Sequence, residues 1–328
     1  MRRLLLRRLA AAPLTVLGIV LVVFLLVEAA PGSPADAILG DRPVDAATRA
    51  RLEAAWGLDR PAPARLLAWV GSVARGDLGW SPSRSRPVTR VLADAFPATL
   101  LLSGLALTVH LAAGFAMGTL AARRPGRLAD RVIQTTALVL WSAPAFWLGL
   151  VAILLLAYAL PIFPASSSHS VSASDWPAWR RAADLAWHAT LPALVLGLSS
   201  AAVLTQHVRA GLVRALGDAF VRAARARGAG STRAMLSHAL RHALLPAVHL
   251  AGLSLPSLVS GALAIEVVFG WPGMGRVAYD AVLARDVPVV LATTLAASVL
   301  VVLGNLAADL GAMALDPRVR RAGLGDGG

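Results

Sequence analysis

Residues 218–248 read DAFVRAARARGAGSTRAMLSHALRHALLPAV and carry Arg222, Arg225, Arg227, Arg233 and Arg241 together with His238 and His242. The rest of the chain is mostly apolar: 57% of its 328 residues are hydrophobic and 15% are charged. An average soluble domain has about 25% charged residues, so the insert interrupts a membrane-type sequence. Spanning about 30 Å of hydrocarbon takes about 20 apolar residues at 1.5 Å each. Six windows qualify, at 9–30, 98–122, 132–160, 190–208, 245–269 and 288–315. The fourth is the weakest, because Gln206, His207 and Arg209 crowd its end. Pro192 and Pro246 sit near the start of their windows, where a missing N–H costs little. Pro144 and Pro256 lie deeper and are expected to kink their helices.

The insert is basic because of the side of the membrane it occupies. All 31 basic residues are Arg and the formal net charge is +13. With the N-terminus inside, the inner segments hold Arg2, Arg3, Arg7 and Arg8, then Arg123, Arg124, Arg127 and Arg131. The insert region adds Arg209, Arg214, Arg222, Arg225, Arg227, Arg233 and Arg241, and the tail adds Arg318, Arg320 and Arg321. Only Asp130, Asp218, Asp316 and Asp326 oppose them, whereas Arg and acids nearly balance in the outer segments. That asymmetry predicts both termini in the cytoplasm and removes the case for nucleic acid as the partner of the charge. The first window has the basic head of a signal peptide, yet its apolar run is too long for one and is read as an uncleaved anchor.

Segment 31–97 is too rich in pattern to be a linker. It contains two helix-like stretches, 46–57 and 64–76, separated by Pro61 and Pro63, and then a Gly/Ser/Pro turn cluster at 76–87. The resulting expectation is an all-α membrane protein with six transmembrane helices. Its parts are a first span at 1–30, a folded extracytoplasmic segment at 31–97, a five-span core at 98–315 and a tail at 316–328. The core includes a cytoplasmic loop at 209–244.

Within that loop Leu212, Leu216, Phe220 and Ala224 recur every four residues and predict one apolar helical stripe. Gly228 is placed to stop the helix and Ser231 to cap the next, whose stripe is Met235, Leu236, Ala239, Leu240 and Ala243. By composition alone this is a pair of interfacial helices facing anionic lipid. His238 and His242 share a helical face but have no evident third ligand, so a metal site is not expected. The chain has no cysteine, and no Lys for a phosphate loop, so it cannot be a P-loop ATPase by itself. Neither HExxH nor GxSxG occurs, and no cofactor is expected. The coupling acids and inverted repeats of a secondary transporter are missing as well.

AARARG at 223–228, followed by HALRHALLP at 238–246, resembles the cytoplasmic signature loop of binding-protein-dependent ABC permeases in the dipeptide/oligopeptide/nickel branch. Ala223, Ala224 and Gly228 match its Glu-Ala-Ala and Gly positions, with Arg222 in place of Glu. His238, Leu240 and Arg241 stand at its Ile-x-Leu-Pro end, with the Pro displaced to Pro246. Five further landmarks resemble the branch in order: Gly57-Leu58-Asp59-x-Pro61 with Gly76-Asp77-Leu78-Gly79-x-Ser81, then SAPAFWLG (Ser142 to Gly149), IEVVFGWPGMGR (Ile265 to Arg276), RDVPVV and ALDPRVRR. Val287 and Leu291 depart from the Tyr and Gln usual after Arg-Asp.

The resemblance implies a pore-forming subunit of an ATP-driven importer in a bacterial inner membrane, with no catalytic residues of its own. Arg222, Ala223, Ala224, Gly228, His238, Leu240, Arg241 and Pro246 would dock on an ATPase. The implied partners are a second homologous permease, two ATP-binding subunits, an extracytoplasmic solute-binding protein and membrane lipid. Solutes of the branch include dipeptides, longer peptides, glutathione-like peptides and nickel complexes. Glu266, Trp271, Pro272, Gly273 and Gly275 mark a tight outer turn, in which Glu266 is expected to fix the loop by hydrogen bonding. The Trp residues outside the windows read as an aromatic belt or as a surface for the binding protein.

Overall fold

The computed structural model describes residues 2–29, 45, 47, 51, 54, 59–228, 230, 233, 235, 240 and 261–315. Helix α1 spans Arg2–Ala29 and α2 spans Ala62–Val73. A two-stranded antiparallel hairpin follows, β1 Trp80–Ser81 with β2 Arg86–Pro87, in the register Trp80↔Pro87 and Ser81↔Arg86. Then come α3 Val88–Arg123, α4 Leu128–Ser142, and α5 Ala145–Ile153, which widens into a π-type turn at Leu154–Ala159. Helix α6 runs Ala178–Leu216 and α7 runs Ala219–Ala226. Residues 261–268 are helical and lead to α8 Met274–Leu283 and α9 Val287–Leu315.

Among the described residues, four helices are long and apolar enough to cross a membrane: Ala10–Ala29, Val88–Arg123, Ala178–Leu216 and Val287–Leu310. The α4–α5 pair qualifies jointly but is bent by 106° at Ala143–Pro144. Ala143 is extended at φ −83° and ψ 136°, the conformation that a following proline favours, so the chain turns where its sequence requires it. Window 245–269 meets the described residues only from 261 onward, and Pro246 and Pro256 lie outside them. The windows undercount helix length, because they register only the hydrocarbon-depth part. Helix α3 begins at Val88 rather than 98. Helix α6 begins at Ala178 rather than 190, and carries Arg180, Arg181 and Asp184 beyond the apolar stretch. Pro192 is therefore a buried interior residue of α6 and not part of its first turn, contrary to expectation.

The α3–α6 seam organises the bundle. Its contacts pair Ala106 and Val109 with Gly197, Gly114 with Leu204 and Gly118 with Val208. Between them His110 Nδ1 meets Ser200 Oγ at 3.2 Å. Numbers rise together along both helices, so the two run parallel. Chain segment 124–177 must therefore return from one end of the bundle to the other, and α4 with α5 makes one net traverse. Lipid supplies no hydrophobic drive between helices, so the seam depends on close van der Waals packing, which the glycines permit.

Two ends follow from this register. At the hairpin end lie Glu28 with its ion-pair partner Arg65, the hairpin itself, the starts of α3, α6 and α9, and the 269–273 turn. Ser167 N–H joins the 160–177 segment to this end by donating to Phe269 O at 2.8 Å. At the other end lie the 124–127 turn and α7, on a cluster of Leu204, Val208, Leu212, Ala215, Val221 and Met235. At 1.5 Å per residue the 28-residue α1 rises about 42 Å, so its N-terminus reaches the α7 end.

Candidate functional site

Glu266 is fully buried at the hairpin end, where it accepts the Thr99 hydroxyl on Oε1 at 2.6 Å. Its Oε2 accepts the Arg276 backbone N–H at 3.1 Å. Thr99 Oγ1 in turn accepts the Met274 N–H at 2.7 Å. The carboxylate and the hydroxyl thus satisfy the free N–H groups that open α8, so a side chain from another helix does the work of a helix cap. Gly273 and Gly275 leave room for it: a Cβ at either position would run into the Glu266 carboxylate. Trp271 is also fully buried, with Nε1 donating to Ala98 O at 2.9 Å. It is an interior anchor and no part of an aromatic belt. Pro272 is exposed beside it.

Asp286 forms a second junction, 2% exposed. Its Oδ2 accepts the Ser81 hydroxyl at 2.5 Å and the Ser83 hydroxyl at 2.6 Å, and its Oδ1 accepts the Val289 N–H at 3.3 Å. It caps α9 and ties the hairpin to that helix start. In a third, Asp184 accepts the Ser170 N–H at 2.8 Å and the Ser170 hydroxyl at 2.6 Å. His169 and His188 flank the Asp184 carboxylate at 3.3 Å each, which pins the 160–177 segment to α6. Sequence reading assigns no task to Thr99, His169 or His188. The Ser81 and Arg285-Asp286 landmarks were visible, but their pairing across 205 residues was not.

At the other end, Arg209 grips Asp130 in a two-pronged ion pair, with both N···O distances 2.6 Å. The Gly126 N–H donates to the same carboxylate at 2.7 Å. The pair fixes the 124–130 turn to α6, about two turns before that helix ends. Helix α6 stops at Gly217, and α7 restarts two residues later. The predicted continuous stripe is therefore broken. Leu212 and Ala224 are buried, but Phe220 is 37% exposed, because the interruption rotates α7 relative to α6.

Of the expected docking residues, Arg222 is exposed and donates from Nη1 to Gly217 O at 2.9 Å. Ala223 is exposed and Ala224 lies inward. Gly228 ends the segment at φ +93°, a left-handed conformation that glycine takes without steric cost. Leu240 packs half-buried against the Val221–Met235 cluster. His238, Arg241 and Pro246 lie outside the described residues.

Two family profiles cover this chain. Residues 114–321 match "Binding-protein-dependent transport system inner membrane component", and residues 1–103 match the N-terminal component of the same system. The chain is similar to the oligopeptide transport system permease protein AppB of Bacillus subtilis, 34% identical over 95% of this chain and 97% of that one. It is similar to the dipeptide transport system permease protein DppB of Escherichia coli K12, 34% identical over 98% and 99%. The glutathione transport system permease protein GsiC of Salmonella choleraesuis is 35% identical over 96% and 98%. The fold resembles a chain of the MetNI methionine ABC transporter solved in an inward facing conformation. That likeness has a TM-score of 0.52 and 18% identity, over 70% of this chain and 97% of that one.

Proposed function

The chain belongs to the binding-protein-dependent transport system inner membrane component family, and from that premise we infer how its two ends divide the work. It is a membrane-embedded permease subunit of an ABC importer, and ATP hydrolysis resides in partner chains. A solute-binding protein and ATPases complete the transporter.

The α7 end faces the cytoplasm and the hairpin end faces outward. Arg123, Arg124, Arg127, Arg131, Arg209, Arg214, Arg222 and Arg227 at the α7 end support this orientation, since Arg excess marks the cytoplasmic side. The chain crosses six times: α1, α3, the bent α4–α5 pair, α6, a span ending at 261–268, and α9. The segment of 31–97, the hairpin included, is then extracytoplasmic, both termini are cytoplasmic, and the exposed apolar helix faces meet lipid. The protein works with one homologous permease and two ATP-binding subunits. Peptides are its solutes, a reading supported by the three relatives above. With ATP hydrolysis in the partner chains, this chain's own part in transport is mechanical.

The observation that carries the docking reading is the break at Gly217. It leaves α7 as a separate amphipathic helix, with Val221 and Ala224 seated on the bundle and Arg222, Ala223 and Arg227 facing away. The loop carrying Arg222, Ala223, Gly228, His238, Leu240, Arg241 and Pro246 is the part gripped by the ATPase, with Ala224 seating α7 against the bundle. A push on α7 passes through the Leu212–Val221–Met235 cluster to α6, whose base the Asp130–Arg209 pair holds. It then crosses the seam to α3 as a rigid-body displacement, because a close-packed interface shifts as a unit.

Deleting 218–242 is expected to abolish co-purification of the ATPase while leaving the protein in the membrane fraction; undiminished pull-down would refute the docking reading. The orientation has its own test, helped by the absence of native cysteine. Ser174→Cys and Gly230→Cys are both at exposed positions. In intact spheroplasts a membrane-impermeant maleimide should label the first and spare the second, and equal labelling sinks the orientation.

A further inference from the structure

At the hairpin end, beside the Glu266 junction, lies a cleft of about 280 Å³ between the hairpin, the first turns of α3 and the start of α8. Three guanidinium groups line it, from Arg84, Arg86 and Arg276, against two carboxylates, from Asp94 and Asp280. Arg84 pairs with Asp280 at 3.2 Å and Arg86 with Asp94 at 2.7 Å. Arg276 donates from Nη1 to Gly270 O at 2.7 Å. Each guanidinium has five donors and uses one of them in these bonds, which leaves most of the donor capacity for a further acceptor.

The two ion pairs are a poor explanation for so much charge in one place. Their side chains are 32% and 47% exposed in the first and 38% and 67% exposed in the second. Exposed pairs of this kind add little to stability and exchange readily for another carboxylate. The cleft carries one more positive than negative charge, is concave, and has the fork-shaped donors that hold a carboxylate in two bonds. Its floor is also rigid, since Gly273 and the Arg276 backbone belong to the buried Glu266–Thr99 junction.

The geometry points to this cleft as the seat of an acidic side chain presented by the solute-binding protein. This rests on the orientation proposed above, which turns the cleft outward, and on the family's dependence on such a protein. The Arg84 and Arg86 guanidiniums exchange Asp280 and Asp94 for the incoming carboxylate. The contact is then transmitted through the Glu266 junction to α3 and α8 together. A rim contact of this chemistry governs the encounter rate and is sensitive to salt.

The test uses the assembled importer in nanodiscs, with its fluorescently labelled cognate solute-binding protein as the probe. Arg84→Ser with Arg86→Ser is expected to weaken binding about tenfold at low ionic strength, with most of the difference gone in high salt. Asp280→Asn with Asp94→Asn removes the internal competitors and should tighten binding about threefold. Opposite signs are decisive, because a damaged hairpin would weaken binding in both variants. Unchanged binding in the Arg variant, or weakening in both, overturns the proposal. Failure of the wild-type importer to capture the probe at all would instead strike the orientation and complex on which the proposal depends.

Discussion

Gly118→Leu and Gly197→Leu are expected to yield no folded protein, and even the alanine variants to lose about 1–3 kcal/mol of stability, the usual range for overpacking a close-packed site. At 118 a Cβ would stand 2.7 Å from Val208 Cβ and 2.8 Å from the Thr205 carbonyl oxygen. At 197 it would stand 2.6 Å from Val109 Cβ and 2.7 Å from the Ala106 carbonyl oxygen. Side chains can turn aside, but a carbonyl within a helix cannot move without moving the helix. The whole α3–α6 seam must then open, and with it the packing that holds the bundle together in lipid. Gly104 and Gly18 provide the controls, since a Cβ there meets nothing within 4 Å. Alanine at either should be neutral or favourable by up to about 1 kcal/mol, through helix propensity. Thermal unfolding in detergent, followed by size-exclusion chromatography, reads both effects. Gly118→Leu eluting as a monodisperse, cooperatively melting species would show that the seam is not where stability resides.

Gly273→Ala and Glu266→Ala are each expected to be strongly destabilising, and the double variant no worse than the more severe of the two. Glu266→Ala strips the acceptor from the Thr99 hydroxyl and the Arg276 N–H, and leaving buried donors unpaired costs about 1–3 kcal/mol each. Gly273→Ala drives a methyl group into the Glu266 carboxylate, which is held from two sides and cannot retreat. Once Glu266 is gone, the methyl group occupies space already vacated, so the second substitution adds little. Coupled neighbours of this kind show interaction energies of about 0.5–3 kcal/mol. Glu266→Gln separates shape from charge. Its carbonyl can still accept from Thr99, but its NH₂ faces the Arg276 N–H, two donors opposed, so it should fall between wild type and alanine. Strict additivity in this cycle, measured by thermal unfolding, would mean that the carboxylate and the Gly273 backbone do not share one site.

Much of the architecture is legible in the sequence because the bilayer imposes it. A run such as residues 10–29 has no alternative to a helix in hydrocarbon, so length and hydropathy suffice. Gly228 could be read as a stop because a positive φ there has a known chemical preference. The stripe from Leu212 to Ala224 misled for a local reason. Gly217 and Asp218 break the helix, and a four-residue repeat continues across the break without one face continuing with it. The hydropathy windows likewise began α6 too late, at 190 instead of 178. Arg180 and Asp184 lie on a helix that continues past the apolar depth, where backbone hydrogen bonds still close within the helix.

The sequence by itself determined that this is a helical membrane protein with a basic, helix-forming loop, and which family its landmarks resemble. All of those are properties of composition, periodicity and short-range spacing. Tertiary structure alone decided what the isolated polar residues do. Glu266 meets Thr99 across 167 positions, Ser81 meets Asp286 across 205, and Arg209 meets Asp130 across 79. It also decided that Gly114, Gly118 and Gly197 lie on one seam. A carboxylate in a membrane sequence announces only that it needs a partner; which donor reaches it depends on how parallel helices are set in register, and that is fixed by the shape of the whole bundle.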